Sequence, residues 1–278
     1  MMAQVRSLRA SDAPDVRRLI AQSPAGHCFI ASRMDAVGGD LSRLGFEAWG
    51  YESDGVLRSA LFLGANVIPM GTDAASRAAF ASRLRLTGRR GSSLVGFAEE
   101  VLDLWRLIEP SWGRARDVRS NQPLLTLSEP SPVPIDTGVR PVRMDELDLL
   151  VPACIAMFTE EVGVSPVAGG ADGSYRARVC ELIREGRALA RIEEGRVVFK
   201  AEIGAVSADA CQVQGVWVEP SRRGQGIAEP GMAAVVSYAQ RFLAPTVSLY
   251  VNDYNTAARR TYRAVGFIES GRFATVLL

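Results

Sequence analysis

The 278-residue sequence has one lysine, Lys200, and one histidine, His27, and arginine carries nearly all of the positive charge. Net charge is only +1, so no basic footprint for nucleic acid is present. No apolar run approaches the length of a membrane span. The first residues, MMAQVRSLRASD, lack the apolar core of a signal peptide, so a cytoplasmic chain without membrane contact is expected. The four cysteines (Cys28, Cys154, Cys180 and Cys211) have no CxxC spacing and no nearby histidine, which argues against a zinc site or a disulfide framework. With so little histidine, a histidine-based triad is not expected either, and His27 beside the turn SPAGH reads as structural. What is present is a globular composition, with 47% hydrophobic and 23% charged residues over a length that suits two domains.

Two segments repeat. VRSLRASDAPDVRRLI (5–20) resembles VRPVRMDELDLLVPA (139–153) at an offset of about 134 residues. Near the same offset, GRRGSSLVGFAEEVLDLWRLIEP (88–110) echoes SRRGQGIAEPGMAAVVSYAQRFLAP (221–245). Repetition on this scale points to two copies of one plan. The proline-rich LSEPSPVPIDTG (127–138) is a poor helix and a poor central strand, so it serves as linker. The expected domains are therefore 1–135 and 136–278. The fold class is α+β: two domains in tandem, each a mixed, mostly antiparallel sheet flanked by helices.

In the second half, strands are expected at 139–143, 188–194, 197–207, 210–219 and 246–252, with final strands in 267–278. Helices are expected at 145–158, 173–185, 226–242 and 255–266. The loop VSPVAGGADGS (164–174) is of the kind that covers binding sites. In the first half, Trp49, Tyr51, Trp105 and Trp112 are expected to serve the core.

The stretch RRGQGIAEPG (222–231) places three glycines and two arginines between a strand and a helix. Such a turn converges backbone N–H groups at a helix N-terminus and can hold an anion. A tight strand–helix turn without a ligand is the plainer alternative. The turn lacks the GK[ST] of a P-loop and the spacing of GxGxxG, yet a pyrophosphate fits its chemistry, with Arg222 and Arg223 at the edge.

The segments VWVEPSRRGQGIA (216–228) and LYVNDYNTAARRTYRAVGF (249–267) together resemble the GCN5-related N-acetyltransferase (GNAT) family. The resemblance covers about 139–278, and the whole layout is similar to GNAT proteins with an additional, degenerate GNAT-like N-terminal domain; its tandem arrangement is similar to that of mycothiol synthase. It implies acetyl-CoA, or another acyl-CoA, as cofactor and a small-molecule or peptide amine as acceptor. Carried over by position, backbone amides of Arg223, Gly224, Gln225, Gly226, Ile227 and Ala228 would hold the pyrophosphate. The strand end Val216, Trp217 and Val218 would pair with the pantetheine arm, and the Val218 N–H would polarise the thioester. Asn252, Asn255 and Arg259 would contact the cofactor, and Tyr262 would protonate the departing thiolate. A phenol of pKa about 10 suits a thiol of about 8.5. The alternative for Tyr262 is a core aromatic on Ala258 and Phe267.

A base is harder to find. The strand before the turn carries Gln212 and Gln214, which cannot act as bases. Glu202 is the preferred acid because FKAEIG places it on a central strand; Asp209 and Glu219 are others. Glu160 and Glu161 are expected at the acceptor side. Cys211 reads as a buried small hydrophobe rather than an acyl carrier. An acyl-CoA-binding regulatory module without turnover, or a structural scaffold, remains open. The first copy keeps one glycine in TGRRGSSLVG and has no counterpart of the tyrosine segment, so it is expected to be degenerate.

Overall fold

The computed structural model describes residues 4–278. In chain order the elements are β1 (Gln4–Ser7), α1 (Ala13–Ile20), α2 (Cys28–Ala36), β2 (Glu47–Ser53), β3 (Val56–Leu63), β4 (Asn66–Met70), α3 (Ala74–Thr87), β5 (Ser93–Phe97), α4 (Ala98–Trp112) and β6 (Asp117–Leu127). There follow β7 (Arg140–Pro141), α5 (Leu147–Val162), α6 (Asp172–Arg184), β8 (Ala188–Glu193), β9 (Arg196–Val206), β10 (Ala210–Val218), α7 (Ala228–Phe242), β11 (Thr246–Tyr250), α8 (Thr256–Val265) and β12 (Ile268–Leu277). Among the described residues no helix is long and apolar enough to cross a membrane.

The chain forms two compact units that are not contiguous in sequence. The first comprises residues up to Leu125 with Tyr250–Asn255 and Glu269–Leu278; the second comprises Thr126–Leu249 and Thr256–Ile268. The division expected at 135/136 therefore differs at two places. The linker from 128 to 138 is part of the second unit, fastened there by Ser131 Oγ donating to Val265 O (2.8 Å) and by Arg191 on Asp136 (2.9 Å). The C-terminal strand leaves the second half and pairs antiparallel with β5, Phe273 opposite Phe97 and Leu277 opposite Ser93. A linear pattern of apolar residues shows that 268–277 is a strand but not which edge it joins.

In the first unit the strands run β1-β2-β3-β4-β5-β12-β6. Side chains of β3 alternate between faces. Leu61 and Leu63 enter a core with Phe80, Leu84, Leu104 and Trp105 from α3 and α4. Ala60 and Phe62 enter another with Val16, Leu19, Ile30 and Met34 from α1 and α2. Trp49, Trp105 and Trp112 are buried and Tyr51 packs against them, as expected.

In the second unit the order is β11-β10-β9-β8-β7, antiparallel except for the β10–β11 pair. Neighbouring residues of β9 mark its two faces. Phe199 lies against α7, where a side chain at Gly231 would come within 2.9 Å of its ring, and Lys200 points to Cys154 on α5. Glycine at 231 is what lets α7 approach the sheet.

The repeat is physically visible at the entry to each unit. Arg6 clamps Asp12 through two bonds of 2.8 Å, and the Arg9 N–H donates to the same carboxylate at 2.7 Å. Arg140 clamps Glu146 at 2.8 and 2.6 Å, and the Arg143 N–H donates to it at 2.9 Å. The guanidinium beside Glu146 holds its carboxyl at about 2. The second expected match fails. Arg-Arg-Gly at 89–91 precedes a strand, β5, whereas Arg-Arg-Gly at 222–224 precedes a helix, α7. By element order, the counterpart of the 219–227 turn is Gly71–Asp73, between β4 and α3.

Candidate active site

The site in the second unit begins with a defect in β10. Gln214 pairs with Glu202, but the next pair is Trp217 with Lys200, so β10 holds one extra residue. The bulge is centred on Gly215, whose φ is +59° and whose Cβ would meet Met157 at 2.9 Å and both Glu202 and Lys200 at 3.3 Å. Only glycine fits there. On its other side β10 pairs with β11 only through Ala210–Gln212 against Thr246–Ser248, and beyond this the parallel strands part. The Glu219 N–H donates to Val198 O on β9 (3.1 Å). Alternation along the strand then turns the Trp217 amide toward β9 and the Val218 amide toward the parted side. The Val218 carbonyl agrees, since it accepts from Arg223 Nε at 3.0 Å rather than from β9.

The parting ends at the turn Glu219–Ile227. Gly224 and Gly226 each have φ +75° and open space where a Cβ would stand. Their bare faces leave room for a ligand to reach the backbone. Ile227 stands at the N-cap of α7 without a capping side chain, so the first helical amides are not consumed by one. Arg222 bonds Gln225 (3.1 Å) and Glu193 (3.0 Å), which shapes the turn from inside. Arg223 pairs with Glu160 at 2.7 Å.

The Trp217 side chain is a core residue, so any contact of this position with a cofactor would run through the strand backbone. It is buried among the residues of α5 and α6, and its indole N–H reaches Glu160 at 3.3 Å. Glu160 thus braces the strand and the turn at once. Glu161 lies at the exposed end of α5 and acts electrostatically on Tyr262. Tyr262 on α8 is buried, packed edge-on against Phe267 at 5.9 Å. Burial, and then the charge of Glu161, pushes its phenol above the ordinary value, so it holds its proton at neutral pH. Arg259 is half-buried on the same helix. Asn252 and Asn255 belong to the first unit. There the Asn252 side-chain oxygen accepts from Gln122 (2.9 Å), and the Asn255 N–H bonds the Asn252 carbonyl (2.9 Å).

Glu202 is not placed as a free base. Its carboxylate meets the ammonium of fully buried Lys200 at 2.5 Å, and Cys154 Sγ at 3.4 Å and Gln214 Nε2 at 3.4 Å complete its surroundings. Burial opposes both charges, but their mutual attraction outweighs it, holding Glu202 below and Lys200 above their usual ranges. Burial pushes the Cys154 thiol to about 12 against the pull of Lys200, so it is no nucleophile. The sequence signals were there: a glycine inside a strand and a solitary lysine. Nothing in the order of residues shows that both meet under one bulge. Cys211 is buried, as expected. The 164–174 loop is largely taken up by a short helical turn at Ala168–Gly170 and the start of α6.

A parted strand pair with an uncapped glycine turn at its mouth is suited to holding an extended, anionic ligand. Residues 169–267 match the acetyltransferase (GNAT) family, and residues 46–150 match a domain of unknown function (DUF4081). The second half is therefore similar to the GNAT family over that segment, and this likeness supports acyl transfer. A GNAT acetyltransferase from Colwellia psychrerythraea is 12% identical over 99% of each chain, with a TM-score of 0.57. A GCN5-related N-acetyltransferase from Sphaerobacter thermophilus is 19% identical over 98% of this chain and 94% of its own, at 0.62. A tandem GNAT protein from the clavulanic acid biosynthesis pathway is 15% identical over 99% and 98%, at 0.58. At these identities the likeness concerns the fold, and the expected tandem arrangement is what it shows. Among curated proteins, none matches this chain.

Proposed function

We propose that the second unit transfers an acetyl group from acetyl-CoA to a small-molecule or peptide amine. The observation that carries this reading is the parted edge of β10, which turns the Val218 N–H toward the opening, with the open glycines Gly224 and Gly226 at its end. Acyl-CoA supplies a thioester already activated for attack. The amides of 224–228 hold the pyrophosphate, with α7 adding its dipole. The free edge of β10 accepts the amide-containing arm as an added strand. The Val218 N–H stabilises the negative charge that grows on the carbonyl oxygen, and the Tyr262 hydroxyl gives its proton to the departing sulfur. With Glu202 held by Lys200, the amine attacks in its neutral form or loses its proton to water.

Tyr262→Phe tests the acid. CoA release with an amine panel should fall roughly 10²-fold, with acetyl-CoA affinity little changed; near-native turnover makes Tyr262 a packing residue. The same absence of an unengaged base on β9 and β10 favours a second reading, an acyl-CoA-binding regulatory module. Stoichiometric acetyl-CoA binding with no CoA release from any amine would select it.

A further inference from the structure

The first unit has a recess of about 330 Å³ lined by Thr72, Phe97, Ala98, Glu99, Glu100 and Arg272. It lies at the carboxyl ends of β4 and β5, whose parallel pairing is limited to Asn66 with Ser93 and Val67 with Leu94. Such ends of parallel strands are where α/β sheets hold ligands.

Two polar atoms in the lining are buried without a partner: Thr72 Oγ1 and Glu100 Oε2. Each residue is only 9% exposed. The other carboxylate oxygen of Glu100 accepts from the Thr72 N–H at 2.6 Å, which fixes the side chain and leaves Oε2 over. Burial raises this carboxyl to about 7, although the Thr72 N–H, Arg77 and the neighbouring Thr72 hydroxyl pull the other way; that hydroxyl lies near the carboxyl but makes no hydrogen bond of acceptable geometry to it. Arg77 does not quench it, because its guanidinium bonds Thr72 O (2.7 Å), Glu99 (3.2 Å) and Asp103 (3.0 Å). Buried polar atoms left unsatisfied are costly, and a cluster of them in a concave wall marks a place for a ligand. At the rim stands Arg272, exposed and without an ion pair or hydrogen bond among the described residues. Phe97 supplies an aromatic wall, held edge-on by His27 and Phe273.

We propose that this recess binds a small free α-amino acid, its ammonium donating to Glu100 and Thr72 and its carboxylate pairing with Arg272. An ammonium has the donors that both buried oxygens lack, and a guanidinium is matched to a carboxylate. An anion alone would meet Glu99 and Glu100, and a bare amine would leave Arg272 unused. A coenzyme-A pyrophosphate is also disfavoured, because the helix after β4 is capped by an acid, Asp73, which accepts from Ser76 N at 2.7 Å. The proposal does not depend on acyl transfer by the second unit.

Titration of the full chain with L-alanine, ethylamine and propionate tests it. L-alanine should bind at least tenfold more tightly than either fragment. Glu100→Gln should weaken L-alanine at least tenfold, and Arg272→Ala, a surface change that leaves the fold alone, should erase the preference for L-alanine over ethylamine. Circular dichroism of each variant confirms folding. Failure of all three probes to bind the wild type overturns the proposal. So does L-alanine binding that neither substitution alters, which would place the amino acid elsewhere, at an acceptor site of the second unit included.

Discussion

Two turns occupy the same place in the order of elements and differ in almost everything else. Gly71–Asp73 joins β4 to α3 in three residues, and Glu219–Ile227 joins β10 to α7 in nine. The short turn ends on a capping box, with Asp73 bound to Ser76 N and Ser76 Oγ returning to Asp73 N at 2.9 Å. Its helix amides are satisfied from within, and a carboxylate stands where an anion would sit. The long turn spends two left-handed glycines on an open backbone, has no side-chain cap and brings two arginines to its edge. A strand, turn and helix are thus a scaffold only; whether they attract a phosphate depends on who satisfies the first turn of the helix.

The same contrast extends beneath the strands. β10 is bulged over a buried Lys200–Glu202 pair, while the first unit places Pro69 and Met70 at the end of β4 and, nearby, the carboxyl of Glu100 with one oxygen left without a partner. Lys200→Met leaves Glu202 buried and unpaired and should cost about 3–5 kcal/mol in denaturant unfolding. Adding Glu202→Leu to that variant should recover much of the loss; no recovery would show that the pair holds the bulge by more than charge balance.

Glu100→Gln should act in the opposite direction. The carboxyl is raised from 4.5 to about 7, so the folded state holds its proton more tightly than the unfolded state. Stability from this group is complete below the unfolded range and is lost as pH rises through about 7. The Gln variant should match the wild type near pH 4.5 and exceed it by up to about 3 kcal/mol at pH 8. Equal stability at both pH values would mean that Glu100 is satisfied in the folded chain. Gain of stability with loss of a ligand is the signature of a functional rather than a structural residue.

The smallest effects belong to the short turn. Asp73→Ala should cost about 1 kcal/mol through loss of the cap. Gly71→Ala forces a side chain to φ +67° and should cost about 1–2 kcal/mol. Neither should change acetyl-CoA affinity; a change would give the first turn a share in the cofactor site.

Much of the second half was legible because its signals are local. Turn glycines, strand alternation and helix caps put α5 to α8 and β8 to β11 within a few residues of their places. The repeat of 5–20 at 139–153 was legible because the residues of each clamp, Arg6 with Asp12 and Arg140 with Glu146, lie within six positions of each other. Segments 88–110 and 221–245 share Arg-Arg-Gly, but a strand follows it in the first and a helix in the second, a difference that the local motif does not carry. The partners of Glu202 and Trp217 were not legible. On β9 the face is set by alternation, but contact with Cys154 and Glu160 depends on where α5 lands on the sheet. The exit of β12 to the first unit, and the unpaired Glu100 and Thr72, are likewise properties of assembly across distant segments.

The central claim is that one turn of the two binds acyl-CoA. Calorimetric titration of the chain and of Gly226→Val with acetyl-CoA tests it directly. A single site per chain is predicted, weakened at least tenfold in the variant, because a β-branched residue at φ +75° strains the turn and its side chain fills the open face. Two sites per chain, or full affinity in a folded Gly226→Val variant, would contradict it.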